Sequence, residues 1–174
     1  NVASVPTTVK QAPLPNLQVS DISAPVSGLA GRSVQLSWTI TNTGNLAASG
    51  SWSEQVFLSG DTVAGADTLL GTFYYSSNSL APGASVTRTE QVTLPGFITG
   101  DRWVVVRTDA GNALVELNEA DNTTVDNVAF NVEAALTLAI TPTSVGETAG
   151  ANAATATVTR AGETTSVLEV FLSS

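Results

Sequence analysis

The sequence contains no cysteine, no histidine and no methionine. Without cysteine there is no disulfide framework, no thiol nucleophile and no zinc site built on thiolates. Without histidine the Ser-His-Asp, Cys-His and His-metal constellations are all excluded. Positive charge is scarce as well: six Lys and Arg residues are scattered among 174, against fifteen Asp and Glu, for a formal net charge of −9. Phosphate neutralisation needs clustered Lys and Arg, so nucleic acid is a poor partner, and an anionic membrane surface is disfavoured for the same reason. No apolar run approaches the roughly 18 to 20 residues that span a bilayer, so membrane insertion is not expected. The sequence opens at Asn1 with neither Met nor an apolar leader core, as expected of a processed or trimmed piece of something longer.

What remains is 43% hydrophobic residues set among Ser, Thr, Asn, Gly and Ala, with 12% charged. This balance suits pleated strands, where β-branched side chains pack well, and not helices with Glu/Lys pairs and Leu stripes. Residues 1–16 hold Pro6, Pro13 and Pro15 and little periodicity, and are read as a Pro-rich linker, with an arm that adds a strand to a neighbour as the alternative. From Leu17 strands and turns alternate. LQVSDI comes first; RSVQLSWTITN follows, with Val34, Leu36, Trp38 and Ile40 on one face. Trp52, Glu54, Val56 and Leu58 share a face of the next strand. LLGTFYY is a strand, and SVTRTEQVTL another in which Arg88 and Glu90 break the apolar register, as at a bulge or an exposed edge. RWVVVRTD is apolar on both faces, as in a central strand. A short strand is expected within residues 110–122, and Val128, Phe130 and Val132 alternate in a last one. The sum is an all-β chain: an immunoglobulin/fibronectin-like β-sandwich over residues 17–133. Residues 134–174 hold three more alternating strands, around Leu138, Val158 and Val170, too few to bury their apolar face, and read as an incomplete second β-sandwich.

Two family resemblances attach to these residues. The ordered segments LQVSDI, VQLSWTITNTG, SWSEQVFLS, GADTLLGTF and TLPGFITGDRWVVVRTDAGNALVELNEADN resemble a CARDB domain, a cell-adhesion-related module of bacterial and archaeal surface proteins. The tail, with its SVGETAG turn, its ATVTR strand and its LEVFLS strand, resembles the first half of a Calx-beta domain; Glu147 matches an acidic position of that family, whose Asp-rich calcium loops have no counterpart here. The CARDB resemblance implies a structural or adhesive module in a tandem array, secreted or at the cell surface, and brings no catalytic residues.

Acidic loops are the one constellation with chemical potential. Asp61 with Asp67 forms one group; Asp109, Glu116, Glu119 and Asp121, with Asn118, form the other. Calcium takes six to eight oxygens, which loops at one end of a sandwich can supply. No run of the D-x-D-x-D-G type is present, and Asp and Asn also cap their own turns. Glu54 and Glu116 are the carboxylates one would pair for glycosidase chemistry, although nothing in the sequence fixes a cleft between them, and the chain is expected not to be an enzyme. Trp38 and Trp103 read as core, whereas Trp52, behind Gly50-Ser51 at a strand start, is the candidate for stacking on a sugar. Asn122-Thr123-Thr124 has the form of a glycosylation acceptor. The expected function is a structural or adhesive repeat; its alternatives are a filament subunit completed by a copy of itself, and a module that binds surface glycans. The expected partners are accordingly neighbouring modules or copies of the same chain.

Overall fold

The computed structural model describes residues 10–146, 148–150 and 153–161, with only the backbone described for Ser77 and Asn78. Every regular element among the described residues is a strand. They are β1 (Leu17–Ser23), β2 (Ser27–Leu29), β3 (Ser33–Asn42), β4 (Ala48–Ser59), β5 (Thr68–Leu80), β6 (Ser85–Thr93), β7 (Gly100–Arg107), β8 (Thr123–Val125), β9 (Phe130–Glu133), β10 (Ala135–Thr141) and β11 (Thr155–Ala161). One sheet has the order β1-β3-β6 and the other β2-β9-β7-β4-β5, with β8 also paired to β7. The hairpin β10-β11 forms a separate two-stranded sheet.

Period-two alternation sends one side of each strand inward. Val19 of β1, Leu36, Trp38 and Ile40 of β3, and Val92 of β6 meet Trp52 and Val56 of β4 and Val104 and Val106 of β7 in a single buried cluster. β7 reads as apolar on both faces because it lies inside its sheet, with Val104, Val105 and Val106 all buried. A smaller cluster of Ala30, Leu58, Leu94, Phe130 and Val132 closes one end.

The first strand divides itself between the sheets. β1 pairs antiparallel with β3 from Leu17↔Asn42 to Ser23↔Ser37, through a bulge after Ser20 where Asp21 takes a φ of 48°. The chain then crosses at Pro25, and β2 pairs parallel with β9, Ser27 opposite Asn131 and Leu29 opposite Glu133. Gly28 permits the crossing: a Cβ there would lie 2.7 Å from Val34 Cγ1 and 2.9 Å from Phe130 Cζ. Ser27-Gly28 thus marks a change of sheet.

This topology gives the sandwich two distinct ends. The near end gathers the start of β1, the end of β3, the β5-β6 turn and residues 108–122, since Leu17 sits opposite Asn42 and Gly83 N donates to Asn42 O. The far end gathers Ala30, Leu94, the β4-β5 loop and the end of β9. The chain enters at the near end and leaves at the far one.

Two expectations change and a third is decided between its alternatives. Residues 110–122 contain no strand, because the backbone N–H groups of Ala113, Leu114 and Glu116 are taken by the Asp109 and Glu119 carboxylates instead of a ladder. Strand β6 is an edge strand, as Arg88 and Glu90 suggested, but it pairs with β3 without a bulge. The ordered domain also begins before Leu17, since Leu14 and Asn16 are already bonded into it. In the tail, two of the three expected strands are β10 and β11; the third, around Val170, and Glu147 lie outside the described residues.

Candidate functional site

Glu54 is at the centre of the sandwich with no exposed surface. Its Oε2 accepts Trp38 Nε1 at 3.0 Å and its Oε1 accepts Trp52 Nε1 at 3.2 Å. Arg88 Nε stands 3.3 Å from Oε2, while Arg88 Nη2 donates to Glu90 Oε1 at 2.8 Å. The apolar register of β6 breaks at Arg88 because this buried carboxylate needs a cation from the facing sheet. Burial pushes the Glu54 pKa up, and Arg88 and the two indoles pull it back. Trp52 is 2% exposed and packs at a tilt against Tyr75, 4.4 Å between ring centroids, so it offers no face to a sugar. Glu54 is likewise sealed from substrate.

The second polar cluster lies at the near end and closes on the incoming chain. Residues Leu14–Asn16 run between two loops and bond to both. On one side Leu14 N donates to Asn45 Oδ1, Asn16 N to Asn42 Oδ1, Thr43 N to Asn16 O, and Asn45 N to Leu14 O. On the other, Leu117 N donates to Pro15 O and Asn118 N to Asn16 Oδ1, while Asn16 Nδ2 and Gln18 Nε2 both donate to Asp121 Oδ2. Gly44 lets the segment pass, because a Cβ there would meet the backbone of Leu14, Pro15 and Asn16.

Glu116, 6% exposed, fastens this segment to the sandwich. Its Oε2 accepts Leu17 N at 3.1 Å. It also accepts Asn122 Nδ2 at 2.9 Å, in the amide orientation that lets the same nitrogen donate to Leu17 O. Oε1 has no hydrogen bond. Burial first, then the nearby Asp109 and Glu119 carboxylates, push the Glu116 pKa up to about 7, against the pull of the Leu17 N–H and the Asn122 amide.

The acidic residues singled out for calcium are thereby accounted for. Asp61 and Asp67 sit at the far end, where Asp61 Oδ1 accepts Val63 N and Asp67 Oδ2 accepts Gly65 N, each holding its own turn. Glu116, Glu119 and Asp121 sit at the near end and accept Leu17 N, Glu116 N and the Asn16 and Gln18 amides. Asp109, at a φ of 39°, takes Ala113 N and Leu114 N, and Asn118 Oδ1 takes Ala120 N. Among the described residues no three acidic side chains are grouped as a metal ion requires. At least one oxygen of each of these carboxylates accepts an N–H donor, while Glu116 Oε1 and Asp121 Oδ1 accept none. Asn122 is buried, with its side chain turned to Glu116 and Leu17, and is not placed to accept a glycan. Sequence reasoning missed Asn16 and Asn42, the two buried amides that organise this end; the signal was the Asn beside a proline and the Asn at the last residue of β3.

The sequence profile of the CARDB family matches residues 14–126, and its first residue, Leu14, is the first one clasped by the two loops. Among solved structures, the crystal structure of the CARDB domain of a Pyrococcus furiosus protein, in complex with di-metal ions, is similar at 22% identity. The match has a TM-score of 0.51 and covers 71% of this chain and 100% of that one. The solution structure of the same domain gives 22% identity and a TM-score of 0.50, over 70% of this chain and 100% of that one. Among curated proteins none matches the sequence. With a two-sheet β-sandwich and a family match over most of its length, the chain belongs to the CARDB family.

Proposed function

We propose that the chain is a non-catalytic structural or adhesive repeat of an extracellular, cell-surface protein, acting as a spacer in a tandem array. The observation that carries this reading is the passage of the chain from one end of the sandwich to the other, with the incoming segment fixed by hydrogen bonds on both sides. A module with both termini at one end folds an array back on itself; one with termini at opposite ends extends it. Two buried carboxylates also support a non-catalytic role, because Glu54 is bonded to two indoles and Glu116 to a backbone N–H. X-ray scattering from two, three and four copies of the chain joined in tandem tests it. Strand β5, with 13 residues, spans about 40 Å at the usual rise. Each added copy should lengthen the particle by at least about that much. A particle that grows as a compact globule would sink the spacer reading.

A second reading, a filament built of copies, is favoured by one observation. Leu136, Leu138 and Ile140 of β10 share a face with Val158 of β11, and all four are exposed. This hairpin would be the opening of the second, Calx-beta-like sandwich, completed by further chain or by a second copy. Sedimentation across a range of concentrations distinguishes these: association abolished by Leu138→Ser supports the filament, and a monomer at every concentration removes it.

A further inference from the structure

Resting on the spacer reading and going beyond it, we propose that this module is built to carry tension along its length, with β1, β2 and β9 loaded in shear. Strands β1 and β2 run from the near end to the far end, and β9 runs the same way as β2, its parallel partner. The chain is pulled at the start of β1 and at the end of β9, so the two pulls are opposed and each lies along a strand axis. Ladder hydrogen bonds link neighbouring strands sideways, squarely in the antiparallel β1-β3 pair and on a slant in the parallel β2-β9 pair. A pull along the axis strains all the rungs together, whereas a pull across it breaks them one after another.

The β2-β9 contact joins the two outgoing directions. Asn131 N donates to Val26 O at 3.1 Å and Ala30 N to Glu133 O at 2.8 Å, bracketing the paired residues. Gly28 is seated so closely beneath Val34, Phe130 and Leu94 that β2 cannot slide without displacing the far-end core. On the entering side, β1 is held along β3, and Thr124 Oγ1 donates to Val19 O at 2.8 Å from β8 of the opposite sheet. Ahead of β1, Leu14–Asn16 is gripped between the 42–46 and 116–121 loops, so the pull reaches β1 only after a third set of transverse bonds. A parallel pairing of first and last strands is not needed to close a sandwich. It ties together the two points at which an array pulls.

Force spectroscopy with two handle placements tests the inference in the full chain, where the absence of native cysteine makes introduced thiols unique. Lys10→Cys with Glu133→Cys pulls lengthwise. Lys10→Cys with Ala81→Cys pulls at two points of the near end, lifting β1 away from its first rungs. All three positions are exposed. Forced unfolding is governed by the barrier along the pulling direction, so at one loading rate the lengthwise pair is expected to yield at about twice the force of the other. Denaturant unfolding of both variants checks that their equilibrium stability is alike. Equal forces, or a lower force lengthwise, with equal stabilities would overturn the inference. That outcome would leave the scattering of tandem copies untouched, just as a compact array would leave the directional difference untouched.

Discussion

At the residue scale the molecule is organised by two buried carboxylates with different tasks. Glu54 joins the sheets: one oxygen meets the indole of β3 and the other the indole of its own strand, with Arg88 of β6 alongside. Glu54→Ala leaves two buried N–H groups without their acceptor and removes one carboxylate from beside the Arg88 guanidinium. Removing one partner from such a set costs about 3–5 kcal/mol, and denaturant titration should find a loss of that order. Glu116 contributes a pH dependence near neutrality. Folding raises its pKa from 4.5 to about 7, so the stability it contributes is complete below pH about 4.5 and is lost as pH rises through about 7. The melting temperature of the native chain should therefore decline between pH about 5 and 8, and Glu116→Gln should flatten that decline. Parallel declines in the two proteins would remove Glu116 as its source. The charge pattern identified Glu116 as unusual but assigned it to a cation, because a sequence does not show that the backbone N–H of a residue 99 positions away points at it. Trp52 illustrates the same limit. Its glycine-serine flank suggested exposure, while the Glu54 two residues on accepts the indole N–H in the core.

At the scale of elements, alternation was sufficient wherever a strand has one buried face. The inward residues of β3 and β4 follow directly from the pattern Val34-Leu36-Trp38-Ile40 and Trp52-Glu54-Val56-Leu58. It failed where side chains replace a ladder, as in residues 110–122, and where a strand is too short to show a period, as in β2. Two glycines make these irregular pieces possible. Gly44→Ala would push a methyl group into the backbone of Leu14–Asn16, and its neighbours there are main chain with no rotamer to yield. Hydrogen exchange should then show the Thr43, Asn45 and Leu117 amides losing protection while those of β7 keep theirs; unchanged protection would mean that the segment is held elsewhere. Gly28→Ala, which meets side-chain ends instead, is an overpacking change with an expected cost of about 1–3 kcal/mol.

For the molecule as a whole, a chain with no disulfide and no metal-ligating histidine or cysteine depends on its buried apolar clusters for cohesion. The β10-β11 hairpin lies outside both clusters, with an exposed apolar face and, among the described residues, pairing only between its two strands. A two-stranded unit is marginal in water. Amides of β10 and β11 should exchange far faster than those of Val104–Val106, which open only with the sandwich. A covering partner or further chain should slow the hairpin amides selectively, and equal rates in both regions from the outset would show the hairpin to be already covered. Calcium at millimolar concentration should leave the melting temperature where it is, since no three acidic side chains among the described residues are grouped to hold an ion; a clear upward shift would establish a cation site.

The sharing of one carboxylate by two indoles has an optical consequence. Trp38 and Trp52 both feel the charge on Glu54 through a direct hydrogen bond, and Trp103 stands outside that arrangement. Protonating Glu54, or parting the sheets by a fraction of an ångström, changes the field on two chromophores at once. The interior of the sandwich thus reports its own integrity in ultraviolet light, without any label.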